Sequence, residues 1–268
     1  MGQNQRAIAD RSGGAWRAAW VLGVATSVAT TGAAVGQAPQ TVPITQEPSH
    51  HLALTTDHVR VFDVTAAAHA TTLIHRHDHD YVFVTLGDAD ITSTRTDGSA
   101  PGRLVLKDGA VEYARGGFAH AVTNTLGRPF HNITIELLHP TTGVTTCTTA
   151  CDRNPPCSTP GHCATITRDI TSDQWVADAV TLPPGATWAP DSGTAPQLAV
   201  VVSTSELEVR GEYESTADFH RSPGNLIWMP VHTNRRVLPG GAVMQRLKPG
   251  IVNQGQTPAR IVVIQWKA

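Results

Sequence analysis

The 268-residue sequence predicts an all-β chain built as two tandem barrels, and three observations carry that prediction. Gly (23) and Pro (18) punctuate short runs rich in Val, Ile and Thr, with no helical period long enough for a bundle or a coiled coil. A turn-and-strand pattern recurs at a constant offset of 129: Asn124 to Pro129 then Ile133 to Ile135, against Asn253 to Pro258 then Val262 to Ile264. A polar, Pro-rich segment holding all four cysteines separates the two copies. Lys plus Arg (20) against Asp plus Glu (22) gives a net charge of −2, too little basic excess to neutralise phosphates, so nucleic acid is not an expected partner.

The elements follow in order. Arg6, Arg11 and Arg17 precede an uncharged stretch, 18–36, with small residues at its end, which reads as a secretory signal over 1–36 with the mature chain starting near Gln37. Its four Ser/Thr and its glycines make a poor span, so no stable membrane anchor is expected. Removing it takes away three Arg and one Asp and leaves a net charge of −4. Residues 37–55 read as an N-terminal arm. In 56–140, HVRVFDV (58–64), YVFVTL (81–86) and ITIELL (133–138) are the strands of a first barrel. Residues 141–165 form a connecting loop with Cys147, Cys151, Cys157 and Cys163. Four thiols in an exported chain make two local disulfides, with three pairings open, and the spacing lacks the C-x2-C pairs of a zinc ribbon. In 166–268, QLAVVV (197–202), NLIWMP (225–230) and RIVVIQW (260–266) are the strands of a second barrel.

The chemistry is carried by histidine. In IHRHDHDYVFV, His75, His77 and His79 alternate on an extended chain and are expected on one face, with Asp78 and Asp80 beside them. Imidazoles so placed bind a metal ion when a further ligand arrives from another strand, and His120 in GGFAHAVTN is the candidate. His50, His51, His58, His69, His131, His139, His220 and His232 read as packed or solvated side chains. No G-x-G-x-x-G, P-loop or G-x-S-x-G motif suggests nucleotide, flavin or serine-nucleophile chemistry.

The segment Gly109 to Asn124 resembles the second motif of the cupin superfamily, G-x5-P-x-G-x2-H-x3-N, at every fixed position except Arg115 for Pro. His75-Arg76-His77 resembles the opening of the first motif, H-x-H-x3or4-E-x6-G. The resemblance implies a jelly-roll barrel with a metal held inside by three His and one carboxylate: His75, His77 and His120, with Asp80 as the fourth ligand and His79 or Tyr81 as its alternatives. In the second half, PGNLIWMPV and NQGQTPARIVVI are similar to the start and end of the second motif, but the histidines are missing, and position 249 is Pro. That half is expected to be a degenerate barrel that packs on the first or closes its cavity. The resemblance further implies a divalent transition metal (Fe, Mn, Ni, Cu or Zn), a small-molecule ligand or substrate, and pairing through sheet edges as a route to a homodimer. The expected function is an exported, metal-dependent oxidoreductase of the dioxygenase type. The alternative is a binder, or an isomerase-like protein, with a structural or substrate-capturing metal. Phe83, Tyr113 and Phe118 are expected to line an apolar cavity, and Asp78 or Asp80, if not a ligand, to serve as a base.

Overall fold

The structure, a computed structural model, describes residues 40–147, 151–154, 161–190, 195–210, 219–230 and 250–267. The expected signal, residues 1–36, lies outside them, as do Cys157, His232 and Pro249. The first half holds β1 (Val42–Pro43), β2 (His50–Thr55), β3 (Val59–Ala66), β4 (His75–His77), β5 (Tyr81–Thr85), β6 (Ala89–Arg95), β7 (Gly102–Leu106), β8 (Val111–Ala114), β9 (Phe118–Asn124) and β10 (Phe130–Leu137). The second half holds β11 (Thr145–Thr146), β12 (Thr165–Thr171), β13 (Trp175–Leu182), β14 (Thr187–Trp188), β15 (Gln197–Val201), β16 (Ser205–Arg210), β17 (His220–Arg221), β18 (Leu226–Met229), β19 (Gly250–Asn253) and β20 (Ala259–Trp266). Among the described residues no helix is long and apolar enough to cross a membrane.

Each half is a pair of facing sheets. In the first, the order β1-β4-β9-β6-β7 faces β2-β3-β10-β5-β8; in the second, β11-β12-β13-β20-β15-β18 faces β14-β19-β16-β17. The segment read as an arm is woven into the first barrel, since β1 pairs in parallel with β4 and β2 pairs antiparallel with β3.

Side-chain alternation explains the continuous apolar runs. Along β5, Tyr81 and Phe83 point into the first barrel while Val82 and Val84 point out of it, and all four are buried. Along β20, Ile261 and Val263 fill the second barrel while Val262 and Ile264 point outward. The outward sets of both halves meet in one shared core that includes Val82, Ile133, Ile135, Trp175, Leu198 and Ile264. The second barrel therefore packs on the first, and the histidine-lined cavity of the first is bounded by its own residues alone.

The repeat is visible in hydrogen bonds. Asn124 Nδ2 donates to the carbonyl of Arg128 (2.8 Å) and its Oδ1 accepts from the Leu126 amide (3.0 Å). Asn253 Nδ2 donates to the Thr257 carbonyl (2.7 Å) and its Oδ1 accepts from the Gly255 amide (2.9 Å). Each buried Asn also ties its turn to the opposite wall, at Ala67 O and Leu182 O. Cys147 and Cys151 form a disulfide, and Cys163 is disulfide-bonded as well.

Candidate metal centre

The antiparallel register of β4 on β9 sets His75 directly opposite His120 and His77 opposite Phe118. Residues two apart share a face, so the three imidazoles turn inward together, and each is at most 5% exposed. Their ring centroids lie 4.6 Å (His75 to His120), 5.1 Å (His75 to His77) and 5.2 Å (His77 to His120) apart. His50 joins them from the opposite wall: β2 places it across from Val64 on the inner face, 4.6 Å from the His75 ring and 6.4 Å from His77. One ligand atom from each of His50, His75 and His77 lies within 4.8 Å of the others.

The second nitrogen of each ring is assigned by its neighbours. His75 Nδ1 lies 2.9 Å from the Leu73 carbonyl, His120 Nδ1 lies 2.8 Å from Ser93 Oγ, and His50 Nδ1 lies 2.6 Å from Glu47 Oε2. Nε2 is then the nitrogen left for coordination in each. His120 Nε2 is buried with no hydrogen-bond partner, as an imidazole waiting for an ion would be. His77 Nδ1 faces the buried carboxylate of Glu136 at 4.0 Å, and Glu136 is paired with Arg60 at 2.8 Å. Burial pushes the imidazoles down, His75 to about 4, His77 to about 2 and His120 to about 3, and the neighbouring histidines add to the effect. All three are neutral at pH 7, the form that binds metal. The donor set thus fits a divalent transition ion.

As a correction to the sequence expectation, the structure does not bring Asp80 to these rings. Strand β4 ends at His77, the two-residue alternation stops there, and the next three residues turn outward. The Asp80 carboxylate accepts from the Tyr113 hydroxyl (2.6 Å) and the Gly116 amide (2.9 Å). Asp78, His79 and Asp80 line a separate outer pocket with Arg115. Tyr81 does face the cavity, stacked flat on His77 with centroids 4.1 Å apart, and burial raises its hydroxyl pKa. Of the aromatic residues expected to line the cavity, Phe83 does so and Phe118 packs against the His77 and His120 rings. Tyr113 instead packs with the core shared between the barrels, beside Trp175. His50 is the cluster member the sequence reading passed over. Its only local signal is Glu47 three residues before it, since the register that turns it inward is a tertiary property.

The cavity holds about 570 Å³ of empty space, mouth included. Beyond the histidines it is walled by Val64, Phe83, Ile91, Leu104, Val122 and Phe130, with Thr72, Asn132 and Thr134 as polar points. The second barrel offers no counterpart among the described residues. Strand β14, paired with β19 as β4 is with β9, contributes Trp188, which fills the interior with Leu207, Met229 and Ile251.

No family model matches the chain, and no curated protein matches it in sequence. Among solved structures it is similar to AerE from Microcystis aeruginosa, with a TM-score of 0.52 at 11% identity over 83% of this chain and 99% of that one. It is also similar to a mutant of salicylate 1,2-dioxygenase from Pseudoaminobacter salicylatoxidans, with a TM-score of 0.50 at 12% identity over 78% of this chain and 71% of that one. At such identities the likeness speaks for the fold alone.

Proposed function

The chain carries the cupin fold twice, and from that premise we propose that it is an exported metal-dependent oxidoreductase of the dioxygenase type, acting on a small organic molecule in the first barrel. One observation carries the reading. His75, His77 and His120 converge, buried and neutral, on an otherwise largely apolar cavity, and the far nitrogens of His75 and His120 are held by hydrogen bonds. A bound divalent ion would supply an open coordination position there, able to act as a Lewis acid or a redox centre.

The chain's own residues account for binding and shielding. Val64, Phe83, Ile91, Leu104 and Phe130 give a substrate an apolar wall and keep water from the site. Asn132 and Thr134 orient polar groups of the substrate; Thr134 Oγ1 donates to Asn132 Oδ1 (2.8 Å), which leaves the Asn132 amide to donate. Tyr81 keeps its proton and holds the His77 ring in place by stacking. Export is supported by the Cys147–Cys151 disulfide.

A second reading, a binder that captures a small molecule without turnover, is favoured by one feature. Among the described residues no carboxylate lines the cavity, so it offers no acidic or basic group apart from the histidines and Tyr81. Metal analysis of the purified mature protein, followed by oxygen uptake with phenolic and enolic compounds, separates the two. Stoichiometric Fe, Mn, Ni or Cu with uptake is the expected result. Stoichiometric metal without uptake selects the binder, and absence of metal from a protein reconstituted with each ion refutes both.

A further inference from the structure

We propose that His50 is a fourth metal ligand and that Glu47 aims it, making the site an all-nitrogen one in which the carboxylates stand behind the ligands. The proposal rests on the metal-binding reading above and adds to it the composition of the ligand shell.

Three observations carry it. The first is placement: His50 comes from β2, in the wall facing β4 and β9, its ring lies 4.6 Å from His75 and 6.4 Å from His77, and one ligand atom from each of these three lies within 4.8 Å of the others, while His120 adjoins the His75 ring at 4.6 Å. The second is the support behind it. Glu47 is 3% exposed, and it accepts from His50 Nδ1 (2.6 Å) and the Ser49 amide (2.7 Å) at Oε2, and from the Leu73 amide (3.1 Å) at Oε1. Leu73 in turn accepts from His75 Nδ1 through its carbonyl (2.9 Å). One buried carboxylate and the backbone of one residue, Leu73, therefore fix the rings of His50 and His75 together, an expensive arrangement unless both rings must be aimed. The third is that the carboxylates offered by the sequence are committed elsewhere. Asp80 is held by Tyr113 and Gly116, and Tyr81, which stands four residues after His77, lies flat on that ring.

An imidazole ligand brings no negative charge, so an all-nitrogen shell leaves the charge of an ion uncompensated among its direct ligands. Two buried carboxylates stand one residue further out, Glu47 behind His50 and Glu136 beside His77. Imidazole shells suit Cu, Ni, Zn and Fe, whereas Mn favours carboxylate oxygen, so the site should select Cu(II) over Mn(II) beyond their ordinary order.

The test uses the metal-free mature chain titrated with Cu(II) and with Mn(II), read by calorimetry, and the nitrogen count of the Cu(II) form read by pulsed EPR. We expect one Cu(II) per chain with four imidazoles coupled to it. His50→Ala and the bulkier His50→Gln should each weaken Cu(II) at least about 10-fold and lower the count to three, while Glu47→Gln weakens it less and keeps four. Three imidazoles in the unmodified protein, or His50→Gln with unchanged affinity while His77→Ala abolishes binding, overturns the proposal and leaves the three-histidine reading standing. Failure of the unmodified chain to bind any ion overturns both. The nitrogen count of the unmodified chain decides even if the variants do not fold.

Discussion

His75, His77 and His120 are buried bases whose protonation the fold opposes, and that makes the metal-free protein sensitive to mild acid. Their ordinary value is about 6.5 in an unfolded chain, and burial holds them at about 4, about 2 and about 3 in the folded one. Below 6.5 the unfolded chain binds more protons than the folded chain. Stability is therefore complete above about 6.5 and is lost as pH falls towards 4 and below, by up to about 1.4 kcal/mol per pH unit for each ring. Urea midpoints of the metal-free protein at pH 7 and pH 5 should differ accordingly, and His77→Gln should flatten that difference; equal slopes for the two proteins would contradict it. The same three residues were legible in the sequence because an i, i+2 pair followed by a glycine turn and a third His is a local pattern. His50 and Glu47 were not, because nothing local states that β2 lies against β3 with His50 opposite Val64.

At the scale of elements, Asp80 works as a staple. Its carboxylate ties the β4–β5 connection to the turn before β9, where Gly117 also donates its amide to the His77 carbonyl (2.7 Å). The Gly116 backbone sits so close to His79 that a Cβ there would meet the His79 carbonyl. This turn sets β4 against β9 and so fixes the distance from His77 to His120. Asp80→Ala should leave the metal content intact while lowering stability by about 1–3 kcal/mol, from the loss of two half-buried hydrogen bonds to a carboxylate. His77→Ala should lose the metal. Metal analysis and urea unfolding on the two variants check both, and loss of metal from Asp80→Ala would restore that residue as a ligand. The sequence signalled these elements unevenly. Long apolar runs such as β5, β10 and β20 stood out to within three residues at each end, whereas β12 carries Arg168 and Asp169 side by side at a register shift that breaks its alternation, and β16 offers only Leu207 and Val209 as large apolar residues.

At the scale of the whole molecule, the second barrel's contribution follows from what it covers. The outer face of β3, β10 and β5 is apolar, and alone it would expose Val61, Val82, Val84, Ile133 and Ile135 to water. The second half buries that face with Trp175, Leu198, Val200, Val262 and Ile264, and Arg260 reaches across to the Asp108 carboxylate (2.7 Å) and carbonyl (2.6 Å). The repeat made two halves legible; their fusion was written only in runs apolar on both faces, which need a neighbour on each side. A barrel whose interior is filled by Trp188 can therefore persist as a wall for its partner after its own histidines are gone. Such a shared core should make the halves unfold together. All four tryptophans of the expected mature chain, Trp175, Trp188, Trp228 and Trp266, lie in the second half, whereas a Co(II) ion bound at the histidines would report on the first. Tryptophan fluorescence and Co(II) absorption should lose their native signals at the same urea concentration. Trp175→Ala, at the centre of the shared core, should lower both midpoints together by about 3–5 kcal/mol of stability, though it lies outside the metal cavity. Two separated transitions, or a fluorescence midpoint that falls while the Co(II) midpoint stays, would mean that the first barrel stands without the second.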